Sequence, residues 1–187
     1  MGEDKGLKLF LGQKLIQRVV DRLACIADEI IVTTNHPYDY AFLGKCLIPD
    51  LIPGRGSMGG LYTAMREAIF PIVAVVACDM PFASPELIKA EAKLLVDENV
   101  DVVIPRSNCG LEPFHAVYRR ATCLPFVRFA IDANHLKVID LFSSMRVREL
   151  NRDEVDAIGS SDVIFRNINT PDEFIEAERL AQTRQDL

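Results

Sequence analysis

Apolar residues in Gln13–Ala27 recur at Leu15, Ile16, Val19, Val20 and Leu23, the stripe that one face of a helix buries against a sheet. The period then changes. Glu29–Thr34 (EIIVTT) is short and β-branched, as a strand covered on both faces should be, and Asn35, His36 and Pro37 end it. Cys46–Pro49 predicts another short strand, Ser57–Ile69 a helix, and Ile72–Ala77 (IVAVVA) the most apolar strand of the chain. Ser84–Glu98 predicts a helix with Ser84 as its N-cap and Pro85 in the first turn, and Asp101–Pro105 (DVVIP) follows as a strand. Such alternation predicts repeated βα units and a parallel sheet with helices on both faces.

Beyond Pro105 the pattern turns α+β. Phe114–Tyr118 predicts a strand, Ala121–Asp132 a helix, Val138–Ser143 a shorter helix, and Arg146–Leu150 and Val163–Arg166 two more strands. Thr170, Pro171 and Asp172 open a closing helix with a capping residue, an early proline and an acid in the first turn. The expected fold is a three-layer α/β arrangement around a mostly parallel sheet.

A length of 187 residues suits a single domain, 1–187, and 49% hydrophobic with 26% charged residues is an ordinary globular composition. The net charge of −6 speaks against a broad nucleic-acid surface, which needs a surplus of Lys and Arg on one face. The longest apolar run, Ile72–Cys78, is strand-sized and far below the roughly 20 residues that cross a bilayer. The first residues carry no apolar stretch of the signal-peptide kind, so the expectation is a soluble, cytoplasmic protein with neither nucleic acid nor membrane as a partner. Cys25, Cys46, Cys78, Cys109 and Cys123 form no CxxC pair, and an odd count suits a reducing compartment.

Ligands of open α/β sheets bind beyond the carboxyl ends of the strands, which directs attention to the residues just after each one. Asp79 in CDMP follows the most apolar strand, where a carboxylate can hold a hard cation such as Mg²⁺ or simply cap the next turn. Gly54–Gly60 (GRGSMGG) precedes a helix, so its backbone N–H groups can approach a phosphate or a base, although a plain flexible turn has the same composition. Asp50 before it can accept from a ribose or base, or stay solvated. Asn167 and Asn169 in NINTPDEF carry amides that could hold phosphate, a ring or metal-bound water, with turn chemistry as the competing reading. Lys5 could neutralise a triphosphate, though a lysine so placed is usually just solvated. His36, His115 and His135 have no metal-ligand spacing, and His115 in EPFHAVYRR is the one best placed to face a site. No G-x-S-x-G elbow is present, and the pattern favours phosphate chemistry over hydrolysis by a serine nucleophile.

Taken in order, MGEDKGLKLFLGQKLIQRV, IIVTTN, IPDLIPGRGSMGGLYTAM, VVACDMPF, EPFHAVYRR and FRNINTPDEF resemble the molybdenum cofactor guanylyltransferases, MobA-like nucleotidyltransferases, from Met1 to about Phe174. The resemblance implies a nucleotide-diphospho-sugar transferase-like, Rossmann-related fold, with 1–105 as the nucleotide-binding half and 106–187 as the acceptor-binding half. It implies a reaction in which the terminal phosphate of molybdopterin attacks the α-phosphorus of GTP, releasing pyrophosphate and forming the guanine dinucleotide cofactor. By motif, Lys5 would contact the triphosphate, Asn35 and Asp50 the nucleotide, and Gly56, Gly59 and Gly60 would pack near the guanine. Asp79 would hold Mg²⁺ and touch GTP, sharing the catalytic role with Lys5, while Asn167 and Asn169 would lie on the metal or acceptor side. Partners implied beyond GTP and molybdopterin are other cofactor-biosynthesis proteins and molybdoenzymes. CDMPF is closer to the guanylyl enzymes than to cytidylyl relatives, whose corresponding stretch commonly reads GDQP. The alternatives are a CTP-using or sugar-phosphate nucleotidyltransferase and a non-catalytic nucleotide-binding protein. The family pattern also places a strand and a loop of the form L-A-G-G-x-S-x-R directly before M-G-x-x-K, which leads us to expect a native start about 15 to 20 residues upstream of Met1, one strand plus a loop.

Overall fold

A computed structural model describes residues 4–168 and 170–183. In chain order its strands are β1 (Leu9–Phe10), β2 (Gln13–Lys14), β3 (Ile31–Thr33), β4 (Cys46–Ile48), β5 (Ile72–Val76), β6 (Val102–Ser107), β7 (Gly110–Leu111), β8 (His115–Arg119) and β9 (Val147–Leu150). Its helices are α1 (Leu15–Leu23), α2 (Pro37–Tyr40), α3 (Gly56–Glu67), α4 (Pro85–Asp97), α5 (Arg120–Asp132), α6 (Arg152–Asp156), α7 (Ser161–Ile164) and α8 (Pro171–Thr183).

The main sheet runs β5-β8-β6, with β9 and the short β7 both on β6. β8 is antiparallel to both β5 and β6, while β9 is parallel to β6, so β5, β6 and β9 share one direction and β8 alone among them opposes it. The period-two alternation of strand side chains sorts the core into two faces. Val102, Ile104, Ala116 and Tyr118 pack with Met58, Leu61 and Met65 of α3 and Cys123 and Val127 of α5. Val103 and Val117 point the other way, onto Leu87, Ile88 and Leu95 of α4 with Val155 and Ile164. Helices on both faces of one sheet make the three layers expected from the sequence.

β3 and β4 form a separate parallel pair. Glu29 Oε2 accepts from the Ile69 N–H at 3.1 Å, which aligns the start of β3 with the start of β5. Among the described residues no ladder joins the two sheets, and Ala74 in the middle of β5 is exposed.

Three local expectations differ from the structure. The helix expected over Gln13–Ala27 spans only Leu15–Leu23, because Gln13 and Lys14 pair with β1 in a hairpin whose turn residues, Leu11 and Gly12, have φ of 50° and 80°. The strand expected over Val163–Arg166 is the helical turn α7. The Ile164 N–H donates to the Ser160 carbonyl at 2.9 Å, closing a helical turn in place of a ladder, and the Ser161 N–H donates to Asp156 Oδ1 at 2.7 Å to start it. Val138–Ser144 is a 3-10 rather than an α-helix.

Candidate functional site

Strand ends and helix starts converge on one cleft. A cavity of about 370 Å³ lies between the end of β3, the start of α3 and Cys78, two residues beyond β5, with Asp4 and Tyr40 on its wall. Asn35 and Asp50, 15 positions apart, are locked reciprocally: Asn35 Nδ2 donates to Asp50 Oδ2 at 3.0 Å, and the Asp50 N–H donates to Asn35 Oδ1 at 3.0 Å. Both line the cleft, as do Gly56 and Gly60. Gly56 adopts φ +53°, a left-handed conformation that lets the chain turn into α3. No side chain caps the first turn of α3, so its leading N–H groups suit an acceptor on a ligand. Gly59 does not line the cavity. A Cβ there would come within 3.1 Å of the Ile52 carbonyl oxygen, so its glycine serves close packing of the loop.

Asp79 and Lys5 do not line the cavity themselves; they follow its wall residues Cys78 and Asp4 directly in the chain. Lys5 Nζ lies 3.4 Å from Asp79 Oδ2, with side chains 41% and 18% exposed. The turn that carries Lys5 is fixed by Asp4, whose Oδ1 accepts from the Gly6 N–H at 3.1 Å and from the Tyr40 hydroxyl at 2.6 Å. Burial, reinforced by Asp4, raises the Tyr40 hydroxyl far above its ordinary range. Cys78 is pushed up to about 11 by burial and then by the Asp79 charge, so the wall presents a neutral thiol and no thiolate nucleophile.

The segment after α7 reaches the same loop. The Ile168 N–H donates to the Asp79 carbonyl at 3.1 Å, which sets Asn167 beside the Asp79 loop. Asn167 Oδ1 is buried and has no hydrogen-bond partner among the described residues, an acceptor whose desolvation they leave uncompensated. Asn169 lies outside the described residues. Phe82 anchors the loop below, edge-on to Phe10 with centroids 5.9 Å apart, and Arg18 donates from Nε to the Pro81 carbonyl at 3.1 Å.

A hard cation fits this oxygen set. Mg²⁺ commonly takes one or two carboxylates and completes its shell with water and phosphate, and Asp79 with the orphaned Asn167 Oδ1 supplies donors of that kind. Among the described residues no three His, Cys, Asp or Glu side chains gather into an all-protein metal cage. His115 does not face the cleft; it is fully buried against Glu91. Asp4, Tyr40 and Ser57 escaped the sequence reading. Only Asp4 left a signal, the Asp-x-Gly spacing of a side chain that caps its own turn.

Residues 1–145 match the family model described as MobA-like NTP transferase domain. A protein of Pelotomaculum thermopropionicum described as "probable molybdenum cofactor guanylyltransferase" is 34% identical over 182 residues, 97% of this chain and 87% of that protein. A molybdenum cofactor guanylyltransferase of Desulfosudis oleivorans is 30% identical over 95% of this chain and 87% of its own. Among solved structures, molybdopterin-guanine dinucleotide biosynthesis protein A of Archaeoglobus fulgidus superposes with a TM-score of 0.85 at 25% identity, covering 98% of this chain and 93% of that one. The 2-C-methyl-D-erythritol 4-phosphate cytidylyltransferase of Thermus thermophilus shares the fold at a TM-score of 0.67 and 15% identity, with 97% and 95% covered.

Proposed function

We propose that this chain, which belongs to the MobA-like NTP transferase family, transfers GMP from GTP to the terminal phosphate of molybdopterin. An oxygen of that phosphate attacks the α-phosphorus, the bond from the α-phosphorus to the bridging oxygen breaks, and pyrophosphate leaves with the electron pair. The carrying observation is the pairing of Lys5 with Asp79, directly after the wall residues Asp4 and Cys78 of a cleft that also holds the Asn35–Asp50 lock and the uncapped start of α3.

In this reading the α3 start, with Gly56 and Gly60, and the Asn35–Asp50 pair receive the guanosine, and Lys5 turns from Asp79 to the phosphates. Gly59 supports the loop from behind. Asp4, Asp50 and Asp79 crowd acidic charge around the cleft, so a triphosphate needs added positive charge to enter. Mg²⁺ held by Asp79, with Asn167 Oδ1 beside it, would supply that charge and draw electron density from the reacting phosphate oxygens. Asn169 would join Asn167 toward the acceptor, making residues 106–187 the acceptor side and 1–105 the nucleotide side. Alignment and charge neutralisation suffice for such a displacement, and the protein contributes no nucleophile. The relatives' names support GTP over CTP. With five free cysteines, and no described helix long and apolar enough to cross a membrane, we place the enzyme in the cytoplasm.

The test is incubation with Mg²⁺, molybdopterin and either GTP or CTP labelled at the α-phosphate. Label from GTP is expected in the dinucleotide. Equal or better transfer from CTP would overturn the guanylyl assignment, and GTP binding without transfer would favour a non-catalytic nucleotide-binding protein.

A further inference from the structure

The helix α4 begins Ser84-Pro85-Glu86-Leu87, and its N-cap is only half closed by its own sequence. Ser84 Oγ accepts from the Leu87 N–H at 3.1 Å, but the residue that would reach back to the N-cap N–H in a capping box is the apolar Leu87. The Ser84 N–H instead donates to Nε2 of His115, from β8, at 3.2 Å. An imidazole nitrogen that accepts carries no proton, so the ring proton sits on Nδ1. Nδ1 faces Glu91 Oε1 at 3.6 Å, long for a hydrogen bond, and both side chains are 0% exposed. Among the described residues neither Glu91 oxygen, nor Nδ1 itself, has a hydrogen-bond partner. The ring of Phe165 stands edge-on to His115 at 5.4 Å, and the charge of Glu112, just before β8, also acts on the imidazole.

Ser84 closes the loop that carries Asp79. Among the described residues, four backbone groups of that loop bond to distant elements. The Asp79 carbonyl accepts from Ile168, the Pro81 carbonyl from Arg18 and the Ala83 carbonyl from Arg22 Nε at 2.9 Å, leaving the Ser84 N–H as the fourth. The three carbonyl contacts have partners that can only donate. The fourth depends on a group that can accept or donate according to its tautomer.

We propose that His115 is a positioning residue for Asp79, held in its accepting tautomer by Glu91; this rests on the nucleotidyl-transfer reading above. A proton on Nε2 would set two donors against each other at Ser84, and the loop would lose the contact that joins it to β8. Glu91 opposes this electrostatically, its carboxylate 3.6 Å from Nδ1 favouring the proton on that side of the ring. The pair touches neither nucleotide nor metal, so its effect reaches the reaction through the loop alone.

The test compares His115→Leu, which removes the acceptor, with His115→Gln, whose side-chain oxygen can accept near the Nε2 position, and with Glu91→Leu. Two readouts are taken: amide exchange of residues 79–84 against that of β6, and the Mg²⁺ half-saturation of pyrophosphate release. Loss of one buried hydrogen bond should speed exchange in 79–84 about tenfold in His115→Leu while β6 stays protected. The half-saturation should rise about tenfold, His115→Gln should restore both to within about threefold, and Glu91→Leu should resemble His115→Leu. Unchanged exchange in 79–84, a uniform rise that includes β6, or a His115→Gln as impaired as His115→Leu would overturn the proposal. If His115→Leu does not fold, His115→Gln and Glu91→Leu carry the same comparison. A parent protein that releases no pyrophosphate would defeat the transfer reading, and exchange alone would then decide the role of His115.

Discussion

Asp79 and Lys5 stand 74 positions apart in the chain and 3.4 Å apart in the fold. Asp79 was readable because it follows the most apolar strand, where open sheets expose their polar termini. Lys5 was readable only through resemblance, since a lysine in a charged stretch looks solvated until Asp4 and Tyr40 fix its turn. Glu91 was not readable at all. It lies on the buried face of α4 among leucines and isoleucine, and its burial is visible only once β8 packs there. That burial pushes Glu91 up to about 6 from 4.5, with His115 pulling the other way. The unfolded chain therefore releases this proton first as pH rises, so the stability linked to it is complete below about pH 4.5 and is lost through pH 6. Glu91→Gln keeps an oxygen toward His115 without titrating. Thermal melts from pH 4.5 to 7.5 should show the variant gaining on the parent as pH rises, by at most about 2 kcal/mol at 1.36 kcal/mol per unit. A gain in the opposite direction would mean that Glu91 is ionised at a net profit.

The long amphipathic elements were legible from their periods: α1, α3, α4 and α5 and the strands β3, β5, β6, β8 and β9 all lie where the apolar spacing puts them, within a few residues. Of the short elements β3 and β4 were legible too, but the β1–β2 hairpin and α7 were not. The β1–β2 hairpin hides because its two-residue turn is Leu11-Gly12 rather than the Asn-Gly or Asp-Gly that announces such a turn. Leu11 holds φ 50° and is 40% exposed, while its N–H donates to Glu178 Oε1 of α8 at 2.9 Å. A leucine in the left-handed region costs about 1 kcal/mol or more, and asparagine relieves much of that. Leu11→Asn should raise the melting temperature by about 2–4 °C, the shift that 1 kcal/mol produces in a domain of this size. A fall would show that the leucine side chain contributes more in packing than its backbone costs. The turn α7 hides for another reason, since Val-Ile-Phe is as apolar as a buried strand and only its hydrogen bonds, Ile164 N–H to the Ser160 carbonyl among them, reveal a helix.

At the scale of the molecule, layers were legible and strand order was not. Local pattern places β5, α4 and β6 as consecutive βα units, but β8 enters between β5 and β6 in the opposite direction, a long-range pairing that no window of sequence contains. Through that insertion the two halves of the chain share one sheet, and Ile168 from the second half holds Asp79 from the first. The cleft is lined by Val32 and Thr33 of β3 and by Cys78 beyond β5, so a nucleotide received there would lie between the two sheets' ends. The central claim is that this shared site transfers a nucleotide through charge neutralisation centred on Asp79. Its most direct test is the rate of pyrophosphate release from GTP in the presence of molybdopterin, titrated with Mg²⁺, in the parent and in Asp79→Ala. Loss of the ligand that places this charge should lower the rate at least about a hundredfold across the titration, with the far-ultraviolet spectrum unchanged. A folded Asp79→Ala protein that releases pyrophosphate at the parental rate would contradict the account.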